Sequence, residues 1–240
     1  MELGKDERIE DLQCKGLQII QNKSLYTFTS DSVVLANFIK LKNNDKCVEI
    51  GTGCAVISTL LCGKTIFQKI KAFELQKEMA ELAQRNVKLN SLQDKIEVIN
   101  DDIKNFNKYI EKGWADVVFS NPPYMKESIV NVNVVKAKAR HEQSLPLHEL
   151  CNIASQILKE NGKLFLVYGA GRSAELIHCL IENKLEPKRM FFTENGKGKT
   201  ILIVIEAVKD GRSGVEVLPN LVTNDKEGSY LEILHTKYVK

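Results

Sequence analysis

Apolar and polar positions change their rhythm once along this chain, near residue 46. Before it, Val33, Val34, Phe38 and Leu41 recur at helical spacing from Asp31 onward. Ser30 is expected to cap that helix, and Asn43-Asn44-Asp45 to end it. The preceding stretch from Leu12 to Phe28 mixes polar and apolar side chains around Gly16, so it reads as extended or irregular chain. After it, short apolar runs alternate with amphipathic segments. Strands are expected at Lys46 to Ile50, Ile70 to Phe73, Ile96 to Ile99, Ala115 to Ser120 and Lys163 to Tyr168. Helices are expected at Val56 to Leu61, Gln76 to Leu89, Leu147 to Leu158 and Ser173 to Asn183, with Met79, Leu82, Val87 and Leu89 available to face a sheet.

Alternation of this kind predicts an α/β fold whose parallel sheet is covered on both faces. Lys188 to Phe192 and Thr200 to Ala207, separated by the polar Asn195-Gly196 region, predict a hairpin that adds an antiparallel edge. Neither a repeat nor a linker divides the chain. The expected organisation is one domain, an N-terminal extension over residues 1–45 packed on a core of residues 46–240. A polar stretch runs from Met125 to Leu145.

Composition narrows the picture little. Of 240 residues, 43% are hydrophobic and 27% charged, enough to bury one sizeable core, and a formal charge of +3 does not by itself mark a nucleic-acid binder. Clusters matter more. Lys126, Lys136, Lys138, Arg140 and His141 gather on the polar stretch, and Lys184, Lys188, Arg189, Lys197 and Lys199 form a second group; each is read equally as a solvated face or as an RNA footprint. Cys14, Cys47, Cys54, Cys62, Cys151 and Cys179 contain no C-x-x-C pair, so no metal site is expected and most are read as small buried hydrophobes. The charged first residues and the lack of a long apolar run imply neither signal peptide nor membrane span, and a cytoplasmic location.

Two short motifs carry the chemistry. Glu49-Ile50-Gly51-Thr52-Gly53-Cys54-Ala55 lies where the first strand of the α/β region hands over to a helix, the place at which open parallel sheets bind ligands. A dinucleotide fingerprint would need a third glycine where Val56 stands. Gly63-Lys64-Thr65 and Gly198-Lys199-Thr200 lack the partner glycine of a phosphate loop, Ser58 and Thr193 occupying its place, and both read as turns. Glu74 ends the second strand about 20 residues beyond the loop, where a carboxylate can accept bonds from two ribose hydroxyls. Asp101 and Asp102 follow the third strand; one suits the exocyclic amine of an adenine, and one of the two can instead cap the next helix.

The second motif, Asn121-Pro122-Pro123-Tyr124, continues directly from the fourth strand. Two successive prolines remove two backbone donors and hold Asn121 extended, leaving the Pro122 carbonyl unclaimed by ladder or helix. An amino group on a purine, or an amide nitrogen, is a poor nucleophile because its lone pair is delocalised. The Asn121 oxygen and the Pro122 carbonyl, each accepting one N–H, would orient such a nitrogen, and Tyr124 offers a stacking face.

Together, Glu49 to Ala55, Glu74, Asp102 and Asn121 to Tyr124 resemble class I methyltransferases, from about Lys46 to Ala207. The resemblance implies a Rossmann-like sandwich with a mostly parallel seven-stranded sheet and an antiparallel edge hairpin, and S-adenosylmethionine as cofactor. It implies cofactor binding by Glu49, Gly51, Thr52, Gly53, Glu74, Leu75, Asp102 and Asn121, and catalytic roles for Asn121, Pro122 and Tyr124. The stretches Asp11 to Gln21, Phe28-Thr29-Ser30-Asp31-Ser32, Glu74-Leu75-Gln76, Arg140-His141-Glu142, Val217-Leu218-Pro219 and Gly228-Ser229-Tyr230 are similar to the tRNA1(Val) adenine-37 N6-methyltransferases. That likeness implies N6 methylation of an unpaired adenine in a tRNA anticodon loop by a monomer or weak dimer, with neither metal nor membrane. Two positions depart from the pattern: Ala55, where relatives often carry glycine, and Tyr168 to Arg172, where many have an Arg-Pro-type sequence.

Asn121 to Tyr124 alone fits other acceptors. Protein glutamine N5-methyltransferases resemble the chain there, but usually carry a larger helical domain ahead of the glycine loop than these roughly 45 residues. Guanine N2 methylation is a third acceptor reading, and an RNA-binding module that merely keeps the fold is a non-enzymatic one.

Overall fold

A computed structural model describes residues 3–25, 27–123 and 145–224. These form two compact units, residues 3–110 and 111–224.

The first unit begins with an antiparallel hairpin, β1 (Glu7–Asp11) and β2 (Gln18–Asn22), in which Ile9 faces Ile20. Gln13, Lys15 and Gly16 turn the chain with φ of 50°, 50° and 73°. The stretch read as extended or irregular is thus in part extended, as the paired strand β2, whose Ile19 and Ile20 are fully buried. A short helix α1 (Ser30–Phe38) follows; Thr29 rather than Ser30 takes the N-cap position, and α1 stops at Phe38, short of Leu41.

Three parallel strands come next: β3 (Lys46–Ile50), β4 (Lys69–Glu74) and β5 (Ile96–Asn100). Helix α2 (Val56–Lys64) joins the first two, and α3 (Lys77–Leu89) the last two. The register puts Ile50 beside Phe73, and Glu74 beside Asn100, so the segments after all three strands leave the same edge of the sheet. α3 is amphipathic as expected and buries Met79, Leu82, Ala83, Asn86 and Val87. Gly63 and Lys64 lie in the last turn of α2, not in a turn between elements. A β-carbon on Gly63 would stand 2.6 Å from Cys14 Sγ and 2.8 Å from Leu17 Cδ1, so glycine there admits the hairpin turn. Gly198, with φ of 75°, does sit in a turn.

In the second unit, β6 (Ala115–Ser120) runs parallel to β7 (Leu158–Gly169). Helices α4 (Leu147–Ile157) and α5 (Ser173–Glu182) precede and follow β7. β8 (Leu185–Glu194) and β9 (Thr200–Lys209) form the antiparallel hairpin that the sequence predicts, with β9 between β7 and β8. Glu206 on β9 is nearly fully buried and joins three strands, accepting from Lys163 Nζ of β7 at 2.7 Å and from Arg189 Nη1 of β8 at 3.1 Å. β8 is not the outermost strand. Two short strands, β10 (Glu216–Val217) and β11 (Leu221–Val222), pair in parallel with its far side, opposite Arg189-Met190 and Thr193-Glu194.

Candidate active site

The loop after β3 turns on three residues with positive φ: Gly51 at 73°, Gly53 at 57° and Ala55 at 64°. Gly51 is exposed, and a β-carbon there would have nothing within 4 Å, so one side of the loop is open to the close approach of a ligand. Ala55 holds the left-handed conformation that favours glycine, at the N-cap of α2. The departure from glycine noted in the sequence thus leaves the turn intact, at the expense of local backbone strain.

Carboxylates brace this loop from below and from the side. Glu49 is 1% exposed, and its Oε2 accepts from Thr52 Oγ1 at 2.6 Å and from the Ser58 hydroxyl. Burial dominates its ionisation and pushes its pKa up to about 7, against the pull of the two hydroxyls and with a further push from the charge of Glu74. Gly51 and Thr52 both donate backbone N–H groups to the Phe73 carbonyl, at 3.0 and 2.9 Å, which stitches the loop to β4. Glu74 ends β4, 4% exposed. Its Oε2 accepts from Gly53 N at 2.8 Å and its Oε1 from Gln76 N at 2.9 Å. Each carboxylate oxygen has two acceptor positions, so one on each is left for a ligand hydroxyl. Leu75, next along, is 45% exposed and offers an apolar surface beside that carboxylate.

After β5, Asn100 ties this edge together by donating Nδ2 to the carbonyls of Glu74 at 2.9 Å and Leu75 at 3.2 Å. The two aspartates then divide their work. Asp101 accepts from Asp102 N at 2.7 Å, Asn105 Nδ2 at 2.8 Å, Tyr109 Oη at 2.9 Å and Lys108 Nζ at 3.3 Å. Those donors, Asn105 and Tyr109 foremost, hold its carboxyl well below the usual carboxylate range. Asp102 caps the short 3-10 helix Ile103–Lys108, its Oδ1 accepting from Lys104 N at 3.0 Å. Capping and ligand binding are compatible in Asp102 because a carboxylate has a second oxygen.

The second motif begins at the end of β6. Ser120 closes the strand fully buried, and Asn121, Pro122 and Pro123 leave it half-buried, outside any helix or strand. Tyr124 lies outside the described residues, as do the basic residues from Lys126 to His141 and the segment Gly228 to Tyr230. At the end of β7, where the sequence departs from the family pattern, Arg172 lies 5.0 Å over the Tyr168 ring and bonds to Glu175 at 2.8 and 2.7 Å.

The second basic cluster does not hold together. Lys184 lies at one end of β8, and Lys197 and Lys199 beyond the other; Arg189 is spent on Glu206, and Lys188 donates to the Arg212 carbonyl at 3.0 Å. Sequence reasoning also missed Ser58, Asn86 and Asn100. A polar residue inside an otherwise apolar helical stripe, as Asn86 is between Leu82, Ala83 and Val87, was the available signal.

Residues 26–195 match the family model of the methyltransferase small domain. The chain belongs to that family. The enzyme is a methyltransferase, and its fold is that of class I methyltransferases. Among curated proteins, it is 26% identical over 207 residues to the tRNA1(Val) (adenine(37)-N6)-methyltransferase of Tolumonas auensis, covering 85% of this chain and 86% of that one. It is 24% identical over 234 residues to the protein of the same name from Dyadobacter fermentans, covering 94% and 96%. Among solved structures, M. jannaschii TYW2 in complex with AdoMet superposes with a TM-score of 0.59 at 14% identity, over 87% of this methyltransferase and 88% of that chain. No helix of the described residues is long and apolar enough to cross a membrane.

Proposed function

We propose that this methyltransferase moves a methyl group from S-adenosylmethionine to N6 of an unpaired adenine in tRNA, the acceptor being position 37 of a valine tRNA. The cofactor supplies a methyl group made electrophilic by its sulfonium sulfur. The residues present fit it: the open side of Gly51 admits its amino-acid portion, the remaining acceptor positions of Glu74 suit ribose hydroxyls, and Leu75 and Asp102 suit the face and exocyclic amine of its adenine. Glu49 and Thr52 hold the loop in shape from within. The observation that carries the reading is the Glu74 carboxylate, placed at the end of β4 and bonded to Gly53, so that ribose recognition and loop shape depend on one side chain.

At the acceptor, Asn121 and the Pro122 carbonyl would each accept one N–H of the amine, leaving its lone pair aimed along the transfer line, with Tyr124 as the stacking platform. A base in an anticodon loop costs least to extrude. The names of the two curated relatives support adenine 37 over glutamine or guanine N2. The large share of the chain that they cover, 85% and 94%, supports a working enzyme over a retained fold. The cytoplasm, where tRNA is modified, is the corresponding location, with the enzyme acting as a monomer or weak dimer.

Incubation of the protein with bulk tRNA and labelled S-adenosylmethionine, followed by mass-spectrometric mapping of nucleosides, tests this. Label in N6-methyladenosine 3′ to the anticodon is expected. Label in methylated glutamine of a release factor with none in RNA would move the assignment to the protein amide. Absence of cofactor binding at micromolar concentration would remove it.

A further inference from the structure

Asn86 on α3 and Asn90, which caps the C-terminus of that helix, stand four residues apart, and both bond to β2. Asn90 Oδ1 accepts from Gln18 N at 2.9 Å, and its Nδ2 donates to Gln18 O at 2.7 Å. Asn86 repeats the pattern two residues along the strand, its Oδ1 accepting from Ile20 N at 2.6 Å and its Nδ2 donating to Ile20 O at 3.1 Å. Two side-chain amides therefore take the place of a neighbouring strand on the outer edge of β2. The chelated bond from Arg85 to Glu7, at 2.5 and 2.7 Å, fixes β1 to the same helix.

The two asparagines differ in one respect. Asn86 has no exposed surface, and its Nδ2 also donates to the carbonyl of Cys54 at 3.0 Å. Cys54 lies between Gly53 and Ala55, both in the left-handed region, so its peptide groups are set by unusual dihedrals on either side. Its buried carbonyl needs a donor. The bonds around Asn86 also fix the orientation of the amide, since two carbonyls face the nitrogen and one N–H faces the oxygen.

We infer that Asn86 is a positioning residue for the cofactor loop, and that through it the N-terminal hairpin, which precedes the segment matched by the family model, becomes part of the cofactor site. The inference rests on the reading of residues 49–55 as that loop. The loop and the hairpin share one amide, so displacement of either strands polar atoms of the other in a buried setting. Asn90 makes the same strand-like pair at an exposed place, where water replaces a lost partner.

The test compares Asn86→Ala with Asn90→Ala in the full chain. Without cofactor, amide exchange at Ala55, whose N–H bonds to the Thr52 carbonyl at 2.9 Å, should accelerate at least tenfold in Asn86→Ala and stay within twofold in Asn90→Ala. Dissociation constants for S-adenosylmethionine, measured well below both melting points, should rise at least tenfold in the first variant and less than twofold in the second. Equal effects of the two substitutions on both readouts, or none, would overturn the inference by reducing Asn86 to hairpin attachment. If Asn86→Ala does not fold, the unmodified protein decides: cofactor should slow exchange at Ile20 and not at Gln18, and an unchanged Ile20 overturns the inference. Should the unmodified protein fail to bind cofactor, the proposed function falls, while exchange at Ala55 still judges the link between Asn86 and the loop.

Discussion

Asn121 and Glu49 show how differently single residues act here. In the proposed mechanism Asn121 stabilises charge that develops only during transfer, so its removal should alter rate far more than binding. Asn121→Ala is expected to lose about 3 kcal/mol of transition-state stabilisation, roughly two orders of magnitude in single-turnover rate, with the cofactor dissociation constant within about twofold. Unchanged turnover would sink the acceptor mechanism. Glu49 instead acts on stability. Burial raises its pKa to about 7 in the folded state, above the ordinary 4.5, so the folded protein binds the extra proton more readily than the unfolded chain. Stability from this group is thus full below about pH 4.5 and declines as pH rises through 7, by at most about 3 kcal/mol. Glu49→Gln resembles the protonated form and can still accept from Thr52 and Ser58. Urea unfolding should find the variant equal to the parent at about pH 4 and more stable by about 1–3 kcal/mol at about pH 8; a constant difference at both pH values would contradict the assigned cause.

At the scale of elements, legibility followed how local the determining pattern is. β3 and β6 have the bounds that their apolar runs predict, because a strand buried on both faces needs only a short apolar stretch and turn residues at its ends. β1 was missed, and β2 was legible only as part of an extended or irregular stretch. Their sequences, ERIED and QIIQN, alternate poorly, and β2 is completed by side chains of α3 some 66 to 72 positions away. β10 and β11, two residues each, are too short to carry any periodicity. In the candidate site, Glu74 and the glycines were legible because strand-end chemistry is local, whereas Asn86 was hidden inside an apolar stripe. Gly63 illustrates a local preference overruled by a distant contact. Helix propensity alone would make Gly63→Ala stabilising by about 1 kcal/mol. The approach of Cys14 and Leu17 below 3 Å makes overpacking the larger effect, typically about 1–3 kcal/mol, so the variant is expected to melt lower than the parent. A higher melting temperature would show that the hairpin turn yields easily.

At the scale of the whole molecule, each compact unit has its own arrangement of strands, and in the second the border of the sheet is formed late in the described chain. The outer border of β8 has a consequence for how molecules behave toward one another. β8 is ten residues long and carries buried Phe191, and its outward backbone groups would form a ready template for a strand from another copy. β10 and β11 cover that border in two short pieces, and Pro219 between them lacks a donor. What faces outward is then two interrupted stretches rather than one continuous ladder. Truncation before Glu216 should leave monomers that pair through β8, visible as concentration-dependent growth in light scattering, whereas a truncated protein that stays monodisperse would show the border to be protected by other means. Solubility in a crowded solution would then depend on two short strands of two residues each.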